Sequence, residues 1–573
     1  MKFSWKIGGE AGFGIMTIGL SFSKIATRLG YQIYDYNEYP SLIRGGHNTY
    51  EVVVSDQKIS AGRWAIDCLV CLNKATFDLD KHRLTPASLV VYDPEEFEPE
   101  GNYQKIPVPF KKFKKEWQVQ QLMVNTIALG ASLALLGGEL QFFYDLINQQ
   151  FGKKGQEVIN FNEKLAKVGF DYVQKAFPNQ IKPLLIKREA SQKLVMVGND
   201  AFSLGAAIAD CRFYAAYPMT PSSTVLTTLA SWQSQTGMVV RHSEDELAAV
   251  NTALGTAFTG VRSAVGTSGG GFALMTEALS FAGIAEIPLV VYLAQRPGPA
   301  TGMPTWTEQG DLLFAVFAGH GEFPKIILAP GDVEETVILT TKAFDLADIY
   351  QTPVIVITDK SLAESHLSLE KSAVQTFISK YKPDYGKIIK RADSLPYLRY
   401  QLTPDGISPQ LIPGQKGIFY QANSYEHLED GHTTEDAAAR VAQVKKRSQK
   451  TVTYLKNHFH APAVYGDMAQ AKAVFVSWGG NKGVIVEAQK ILSDQGLATA
   501  FIHFTHLFPM DVSQVSALFN SSRRYVLIEN NSQAQFGQLL RMQTGIDIKE
   551  KILKYDGRPF WPEEIAQYLI SQK

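Results

Sequence analysis

Short apolar runs alternate with longer helical patterns in the first part of the chain. Runs of strand length occur at residues 3–7, 32–36, 50–54, 68–72 and 89–92. Helical patterns occupy residues 15–29, directly after a glycine-rich turn, and residues 122–151, which are rich in Leu, Ala and Phe. Such alternation is typical of an open, mostly parallel sheet covered by helices. It predicts an α/β domain over residues 1–184.

The same alternation occurs twice more, after a segment near residues 178–192 whose prolines and lysines are typical of a linker. The second α/β domain is predicted over residues 190–365, with strands at 212–216, 261–267, 289–294, 325–328 and 354–358. Residues 366–462 form an irregular, polar linker region that ends in a basic helix over 437–457. A third α/β domain is predicted over residues 463–573, with strands at 473–478, 499–503 and 525–529.

Composition and charge narrow the class of protein. The chain carries 56 basic and 56 acidic residues, so it lacks the positive charge that nucleic-acid binding needs. Its longest apolar stretch, residues 127–136, is too short to cross a bilayer, and glycines near the N-terminus come too early for a signal peptide. Three cysteines cannot build a disulfide framework, so we expect a protein of the reducing cytoplasm.

Two of the cysteines, Cys68 and Cys71, form a CxxC pair that is compatible with a redox site or half of a metal site. The pair lies in the apolar run 66–72, which predicts a buried parallel strand, and Cys211 is distant in sequence. A structural role is therefore favoured. The chain also has too few cysteines to hold an iron–sulfur cluster by cysteine ligation alone.

The glycine-rich turn at residues 8–14 follows a predicted strand and precedes a predicted helix. In this geometry free backbone N–H groups point at an anion, so the turn is a candidate phosphate site. Its glycines match a dinucleotide-binding pattern only imperfectly, with Asp35 as the candidate ribose ligand. Binding of NAD is therefore a minor alternative.

Three further turns follow predicted strands of the second domain, where α/β sheets gather their ligands. Residues 217–223 place Thr220 between two prolines, with Ser222 or Ser223 as a helix cap. Residues 267–271 contain three consecutive glycines, which allow close approach of the backbone to a ligand. Arg296 ends an apolar strand, where a guanidinium either binds a carboxylate with two parallel N–H bonds or forms a surface salt bridge.

An acidic segment, residues 243–246, opens a helix between the first two of these turns. Ser243 and Glu246 fit the capping-box pattern, in which each side chain bonds the backbone N–H of the other. Local rules alone favour this structural interpretation over a ligand-binding one. One carboxylate cannot fully serve both as a cap and as a ligand contact.

The order and spacing of these motifs resemble the 2-oxoacid:ferredoxin oxidoreductase family. The middle domain carries Tyr-Pro-Met-Thr-Pro-Ser-Ser from residue 217, Glu-Asp-Glu-Leu-Ala-Ala from 244, Thr-Ser-Gly-Gly-Gly-Phe from 267 and Gln-Arg-Pro-Gly-Pro from 295, followed by Thr-Gly-Met-Pro-Thr from 301. The glycine turn and residues 41–46 are similar to the family's gamma domain, and residues 478–483 and 528–539 to its transketolase-C-like domain. The resemblance implies a gamma–alpha fusion whose middle domain binds the pyrimidine ring of thiamine diphosphate. Gly270 and Glu10 depart from the family pattern, but neither is a proposed catalytic side chain.

The resemblance also implies roles for single residues. Glu246 would contact the aminopyrimidine and activate the cofactor; it is preferred to Glu244 because the alanines and glycine that follow it keep the spacing of thiamine enzymes. Thr220 would contact cofactor and substrate, and Arg296 would bind the 2-oxoacid carboxylate beside a further substrate contact, Thr305. The remaining implied contacts are Pro218 and Gly269 with the cofactor and Arg44 with coenzyme A.

A missing motif implies a partner. Thiamine diphosphate enzymes bind Mg²⁺ and the diphosphate through Gly-Asp-Gly and a later asparagine, and this chain has no Gly-Asp-Gly. Residues 429–431 with Asn457 mimic the spacing, but the leading glycine is absent and no strand is predicted before them. The resemblance therefore implies a beta subunit that holds Mg²⁺, the diphosphate and a [4Fe–4S] cluster, in an assembly of two alpha and two beta subunits.

The implied reaction is the coenzyme A-dependent oxidative decarboxylation of a 2-oxoacid with reduction of ferredoxin. The favoured substrate is 2-oxoglutarate, converted to succinyl-CoA and CO2; the reverse direction fixes CO2, as in a reductive TCA cycle. Two alternatives stay open at this point. One is a subunit of a non-redox thiamine diphosphate decarboxylase, and the other is a nucleotide-binding scaffold subunit.

Overall fold

The computed structural model describes residues 1–41, 45–189, 191–392 and 395–572. They form two compact units. The first comprises Met1–Met196, Ser365–Phe377 and Trp561–Lys573, and the second comprises Val197–Glu364 and Ile378–Phe560. The domain boundaries proposed from the sequence remain predictions.

Strands and helices are numbered in chain order. The strands are β1 Lys2–Glu10, β2 Gln32–Glu38, β3 His47–Ser55, β4 Ile66–Cys71, β5 Leu84–Tyr92, β6 Gln104–Pro107, β7 Lys193–Met196, β8 Phe213–Ala216, β9 Val239–His242, β10 Ser263–Thr267, β11 Leu289–Gln295, β12 Ile326–Leu328, β13 Pro353–Asp359, β14 Leu367–Glu370, β15 Ile388–Ile389, β16 Gln410–Leu411, β17 Ala463–Tyr465, β18 Ala473–Trp478, β19 Thr499–Phe504, β20 His506–Phe508, β21 Tyr525–Glu529 and β22 Glu550–Leu553. Every strand predicted above is present, with ends that differ by a few residues.

The helices are α1 Ile15–Arg28, α2 Lys74–Asp80, α3 Phe110–Glu116, α4 Val124–Leu135, α5 Leu140–Phe151, α6 Gln156–Ala176, α7 Gly198–Ile208, α8 Ser223–Thr236, α9 Glu246–Phe258, α10 Gly269–Ala285, α11 Leu312–Phe317, α12 Val333–Tyr350, α13 Lys360–Glu364, α14 Lys371–Lys380, α15 Ala437–Asn457, α16 Asn481–Asp494, α17 Val512–Ser516, α18 Gln535–Thr544 and α19 Pro562–Ile570. The predicted helical stretch 122–151 is split into α4 and α5, because Gly137 adopts a positive φ of 70°. The basic helix, α15, begins and ends as predicted. No helix among the described residues is long and apolar enough to cross a membrane.

The first unit is built on an eight-stranded sheet in the order β6-β5-β4-β1-β3-β2-β14-β7. The strands β1, β4, β5 and β6 are parallel, as predicted. However, β3 is antiparallel to β1 and β2, and β14 is antiparallel to β2 and β7, so the prediction of a mostly parallel sheet was wrong for this unit. The connection 39–46 is shorter than the roughly twelve residues that a parallel crossover needs, so β3 returns antiparallel to β2.

The second unit contains a seven-stranded sheet in the order β20-β12-β13-β11-β10-β8-β9. All its strands are parallel except the edge strand β20. A five-stranded sheet in the order β17-β19-β18-β21-β22 is parallel except at β17. Strands such as β11 and β13 are buried along their whole length, which accounts for their continuous apolar runs in the sequence. The α/β fold class is therefore confirmed.

The CxxC pair lies in strand β4 of the first unit, and both side chains are buried. Burial raises the pKa of the Cys68 thiol to about 12 and the pKa of Cys71 well above its ordinary value. Neither side chain is therefore a thiolate at neutral pH, the form in which cysteine reacts and binds metals. The predicted burial of this pair in a parallel strand is confirmed, and its structural role remains a prediction.

Candidate active site

The candidate residues of the second unit lie where neighbouring parallel strands end. Strands β8, β10 and β11 are adjacent, so their carboxyl ends meet at one edge of the seven-stranded sheet. Thr220 follows β8, Gly269 follows β10, and Arg296 comes directly after β11. Glu246 follows β9, the strand next to β8, and begins helix α9. Ligands of α/β sheets bind at such an edge.

Helix α9 is capped by the residue before Glu246. The carboxylate of Asp245 accepts a hydrogen bond of 2.7 Å from the backbone N–H of Ala248. The capping box predicted from Ser243 and Glu246 is wrong, because the helix begins two residues later than that pattern requires. Aspartate and serine are equally good caps, so local rules could not decide between the two positions. The observed cap leaves the side chain of Glu246 available for another contact.

The carboxylate of Glu246 lies against the glycine-rich start of helix α10. Glu246 is 3% exposed, and its Oε1 has no hydrogen-bond partner in the described part of the chain. A Cβ atom on Gly271 would lie 2.3 Å from Glu246 Oε1 and 2.2 Å from Thr267 Oγ1, so only glycine permits this approach. Burial, reinforced by the charge of Asp245, raises the pKa of Glu246 above its ordinary value.

Two serine hydroxyls in the segments next to Glu246 are also buried without a partner. Ser243 is 1% exposed, and Ser268, at the cap position of α10, is 0% exposed. Neither hydroxyl has a hydrogen bond within the ranges that the structure describes. An unpaired buried polar group costs on the order of 1–3 kcal/mol, and most such groups in folded proteins are paired. Three unpaired atoms in one region are typical of a site that a polar ligand completes.

The guanidinium of Arg296 is anchored over the turn that follows β8. Its Nη1 donates a hydrogen bond of 2.8 Å to the backbone carbonyl of Thr220, and the side chain is half-buried. Its other N–H groups make no further hydrogen bond to the described residues, so they can bind a carboxylate. Ser222 holds the cap position of α8, as predicted, but its hydroxyl donates to the carbonyl of Met219 and does not cap the helix.

Residues 297–311, which we call the strap, lead from Arg296 to helix α11. Gln309 of the strap is 1% exposed and is held by hydrogen bonds to the loops that follow β18 and β21. Its partners are Trp478, Asn481, Asn530 and Asn531. Thr305, buried at 4% exposure, lies in the same segment. The five-stranded sheet therefore positions the strap of the candidate site.

The strap also carries two desolvated carboxylates, Glu308 and Asp311. Both oxygens of Asp311 lie within 2.7 Å of the position that a Cβ atom on Gly269 would take. Burial raises the pKa of Asp311 to about 6, against the opposing charge of Arg296. Burial and the charge of Asp311 raise the pKa of Glu308 to about 7. Neither residue was predicted from the sequence as part of the site. Their position in the segment that directly follows Arg296 could have indicated it.

The structure places four of the predicted site residues at this sheet edge: Glu246, Thr220, Gly269 and Arg296. Thr305 is buried within the strap, and Pro218 is exposed in the turn after β8. Arg44 lies outside the described residues. The roles assigned to all seven residues remain predictions.

In the first unit, Asp35 is not a ribose ligand. It is fully buried in β2 and accepts hydrogen bonds from the hydroxyls of Ser23 and Tyr50, at 2.9 and 2.5 Å, and from the backbone N–H of His366 at 2.7 Å. That part of the NAD alternative was wrong, because these groups occupy the carboxylate. A cavity of about 260 Å³ beside the glycine turn is lined by acidic and basic side chains. Phosphate binding there remains a prediction.

Comparisons with known proteins agree with the family resemblance. Residues 4–172 match a family model described as pyruvate ferredoxin/flavodoxin oxidoreductase, and residues 204–446 match one described as pyruvate flavodoxin/ferredoxin oxidoreductase, thiamine diP-binding. A 2-oxoacid:ferredoxin oxidoreductase subunit alpha of Sulfolobus sp is 32% identical over 100% of this chain and 97% of its own length. A 2-oxoglutarate synthase subunit KorA of Methanothermobacter thermautotrophicus is 29% identical over 66% of this chain and 99% of its own length.

A solved structure is similar over both full lengths. It is a 2-oxoglutarate:ferredoxin oxidoreductase from Magnetococcus marinus with 2-oxoglutarate, coenzyme A and succinyl-CoA bound. The TM-score is 0.92 at 30% sequence identity, covering 100% of this chain and 99% of that chain. The likeness thus includes the residues of the candidate site. None of these matches favours the decarboxylase or the scaffold alternative.

Proposed function

We propose that this chain, which belongs to the 2-oxoacid:ferredoxin oxidoreductase family as an alpha subunit, provides half of a thiamine diphosphate site and the contacts that bind a 2-oxoacid. The proposed reaction is the reversible, coenzyme A-dependent oxidative decarboxylation of 2-oxoglutarate to succinyl-CoA and CO2, with ferredoxin as the electron acceptor. The observation that carries the proposal is Glu246: its carboxylate is buried at the sheet edge, it caps no helix, and its Oε1 has no partner among the described residues.

The residues around Glu246 fit the aminopyrimidine end of thiamine diphosphate. Oε1 would share a proton with a ring nitrogen, and the raised pKa of Glu246 increases the protonated fraction available at that atom. The hydroxyls of Ser243 and Ser268 offer further hydrogen bonds, and Gly269 remains a proposed backbone contact of the cofactor. When bound, the cofactor would supply the carbanion chemistry by which a 2-oxoacid loses CO2.

The substrate is proposed to bind with its carboxylate on Arg296. The hydrogen bond to the Thr220 carbonyl fixes the guanidinium, which leaves a preorganised fork for a planar anion. Thr220 itself and Thr305 are the proposed neighbouring contacts. Support for 2-oxoglutarate comes from the names of relatives, because the Methanothermobacter protein is called a 2-oxoglutarate synthase subunit and the Magnetococcus structure holds 2-oxoglutarate and coenzyme A.

The remaining parts of the enzyme are proposed to come from a beta subunit. Within the described residues, no group of three or more His, Cys, Asp or Glu side chains is placed to hold a metal ion, and the sequence has three cysteines in all. The beta subunit is proposed to hold Mg²⁺, the diphosphate and a [4Fe–4S] cluster, because this chain has no Gly-Asp-Gly motif and too few cysteines for a cluster. The Sulfolobus relative is named subunit alpha, which supports the presence of at least one further subunit. The proposed assembly is cytoplasmic and contains two alpha and two beta chains.

Co-purification with the beta subunit tests the proposal. The wild-type pair is expected to be brown, to contain thiamine diphosphate and to reduce viologen with 2-oxoglutarate and coenzyme A. Glu246→Gln should leave assembly intact and lower turnover by about 100-fold or more, since a proton-transfer group is lost. The matched control is Glu244→Gln, an exposed residue of the same segment, which should keep full activity.

Two outcomes would count against this assignment. A colourless pair without 2-oxoacid-dependent viologen reduction would exclude the oxidoreductase. Full activity and full thiamine diphosphate content in Glu246→Gln, with a loss in Glu244→Gln, would move the cofactor contact to Glu244.

A further inference from the structure

The carboxylate of Asp311 makes no contact with the described residues that would stabilise the fold. Asp311 sits at the cap position of α11, where an aspartate usually accepts a hydrogen bond from the helix, but its side chain makes no such bond. By contrast, Asp245 and Asp332 cap helices α9 and α12 in this way. The carboxylate of Asp311 has no other hydrogen bond or ion pair to the described residues. A structural explanation for it is therefore lacking.

The backbone around Asp311 is firmly held, so the position of its carboxylate is defined. The N–H of Asp311 donates a hydrogen bond of 2.9 Å to Oε1 of Gln295, the buried residue directly before Arg296. One residue earlier, the carbonyl of Gly310 accepts a bond of 2.6 Å from Gln535. These contacts direct the carboxylate onto Gly269, at the start of helix α10. It thus faces the same sheet edge as the proposed substrate site.

The charged groups that act on Asp311 are Arg296, after β11, and Glu308, on the strap. The charge of Arg296 opposes the effect of burial on Asp311, yet no ion pair joins the two side chains within the described residues. Asp311 is therefore close enough to change the electrostatic potential at Arg296 without occupying its N–H groups. An anion bound on Arg296 would meet a second negative charge whenever Asp311 is ionised.

We propose that Asp311 is a specificity-determining residue that makes binding of the 2-oxoacid carboxylate at Arg296 depend on a proton. The ionised carboxylate repels the substrate and offsets the charge of Arg296, and the protonated carboxyl does neither. This inference rests on the proposed function, because it takes Arg296 as the binding site of the substrate carboxylate.

The direction of the pH dependence follows from the two charges. The pKa of Asp311 in the free protein is about 6, so the carboxyl is protonated below that pH and ionised above it. A bound carboxylate nearby raises this pKa further, since like charges disfavour ionisation. Substrate binding is thereby coupled to proton uptake, and KM rises with pH between about 6 and 8. A shift of roughly one pKa unit corresponds to a tenfold change in KM.

The test is the pH profile of KM for 2-oxoglutarate, measured on the complex of this chain with its beta subunit. In the wild type, KM should rise about fivefold between roughly pH 6 and pH 8, as a one-unit rise of the Asp311 pKa on substrate binding requires. In Asp311→Asn, which imitates the protonated side chain, KM should stay low and flat over that range. Asp311→Ser, uncharged but still polar, should give the same flat profile. The melting temperature of both variants should equal or exceed that of the wild type, because a partly buried charge without a partner among the described residues is removed.

Asp511→Asn is the matched control, since Asp511 caps α17 and asparagine caps equally well. Its KM profile should follow that of the wild type. The proposal is overturned if KM keeps its pH dependence in Asp311→Asn and Asp311→Ser. It is equally overturned if Glu308→Gln alone flattens the profile, since Glu308 would then be the titrating group. A wild-type complex without 2-oxoacid-dependent activity would instead refute the proposed function, and this inference with it.

Discussion

Replacing Glu286 by glutamine is expected to destabilise the second unit strongly. Glu286 ends helix α10 at 0% exposure, and each of its two oxygens lies 2.6 Å from a buried lysine Nζ, one from Lys446 and one from Lys450. Arg399 donates a further hydrogen bond of 2.8 Å to its backbone carbonyl. Both lysines lie on α15, so this carboxylate joins that helix to the seven-stranded sheet domain.

The magnitude follows from what the substitution leaves behind. At 2.6 Å and an effective dielectric constant of 20, each lysine is attracted by about 6 kcal/mol, most of which offsets the desolvation of the charges. Glutamine removes the counter-charge of two buried lysines, each of which must then lose its proton or stay charged without a partner. Breaking a buried pair from one side costs about 3–5 kcal/mol. For a unit of this size this corresponds to a fall in Tm of roughly 4–7 °C.

Lys450→Met is the matched variant. Burial lowers the pKa of Lys450 to about 7, so near neutral pH this side chain is charged only in part. Methionine fills similar space, and Lys446 still neutralises Glu286, so the cost should stay below about 1.5 kcal/mol. Both Tm values are measured at one scan rate, because unfolding of a protein of this size is often irreversible. An unchanged Tm in Glu286→Gln, or a larger fall in Lys450→Met, would refute the reasoning.

The pH dependence of stability provides a second check on Glu286. Burial alone would raise its pKa, but Lys446 and Lys450 overcome this effect and hold the pKa below the ordinary value of 4.5. A carboxyl with a depressed folded-state pKa contributes stability above its unfolded pKa and loses it as the pH falls through the folded one. The wild type should therefore lose more stability on acidification below about pH 4.5 than Glu286→Gln does.

Two further predictions concern the candidate site. Gly271→Ala should lower turnover by on the order of 100-fold, because its Cβ would displace the Glu246 carboxylate. The control Gly270→Ala should remain active, because the atom nearest to its Cβ would be 4.0 Å away. Equal activity of the two variants would contradict the close approach of Glu246 to Gly271. Gln309→Ala should raise KM for the 2-oxoacid more than it lowers kcat, because it loosens the strap that carries Thr305, and steady-state kinetics above and below saturation check this.

The fold class was predictable because its signal is local. A strand buried on both faces must be apolar at every position, so β11 and β13 stand out in the sequence without knowledge of their neighbours. The antiparallel direction of β3 was harder to predict, since an apolar run indicates a strand but not its orientation in the sheet. Helix caps failed for a related reason: Ser243 and Asp245 satisfy the same local rule, and packing decides which of them caps α9.

Of the candidate site, only the residues that follow directly after strands could be predicted from the sequence. Thr220 and Arg296 follow strands directly, so the rule for parallel sheets brings them together. Gln309 and Asp311 depend on contacts with residues far away in sequence, and no local pattern indicates those contacts. The burial of Lys446 and Lys450 could not be predicted for the same reason. Lysines on a basic helix are normally solvated, and the carboxylate of Glu286, which permits their burial, is 160 residues away from Lys446 in the sequence.

The carboxylates of the second unit whose pKa values are changed by burial include two kinds, those with partners in the fold and those without. Glu286 is neutralised by two lysines, and Glu529 accepts hydrogen bonds of 3.0 Å from the backbone N–H groups of Phe536 and Gly537. Each of these carboxylates has partners that belong to the fold. Glu246 Oε1 and both oxygens of Asp311 have no such partner in the described ranges, although burial raises the pKa of both side chains. The contacts of the fold do not account for these two unpartnered carboxylates at one sheet edge, and this supports the proposal that ligands bind there.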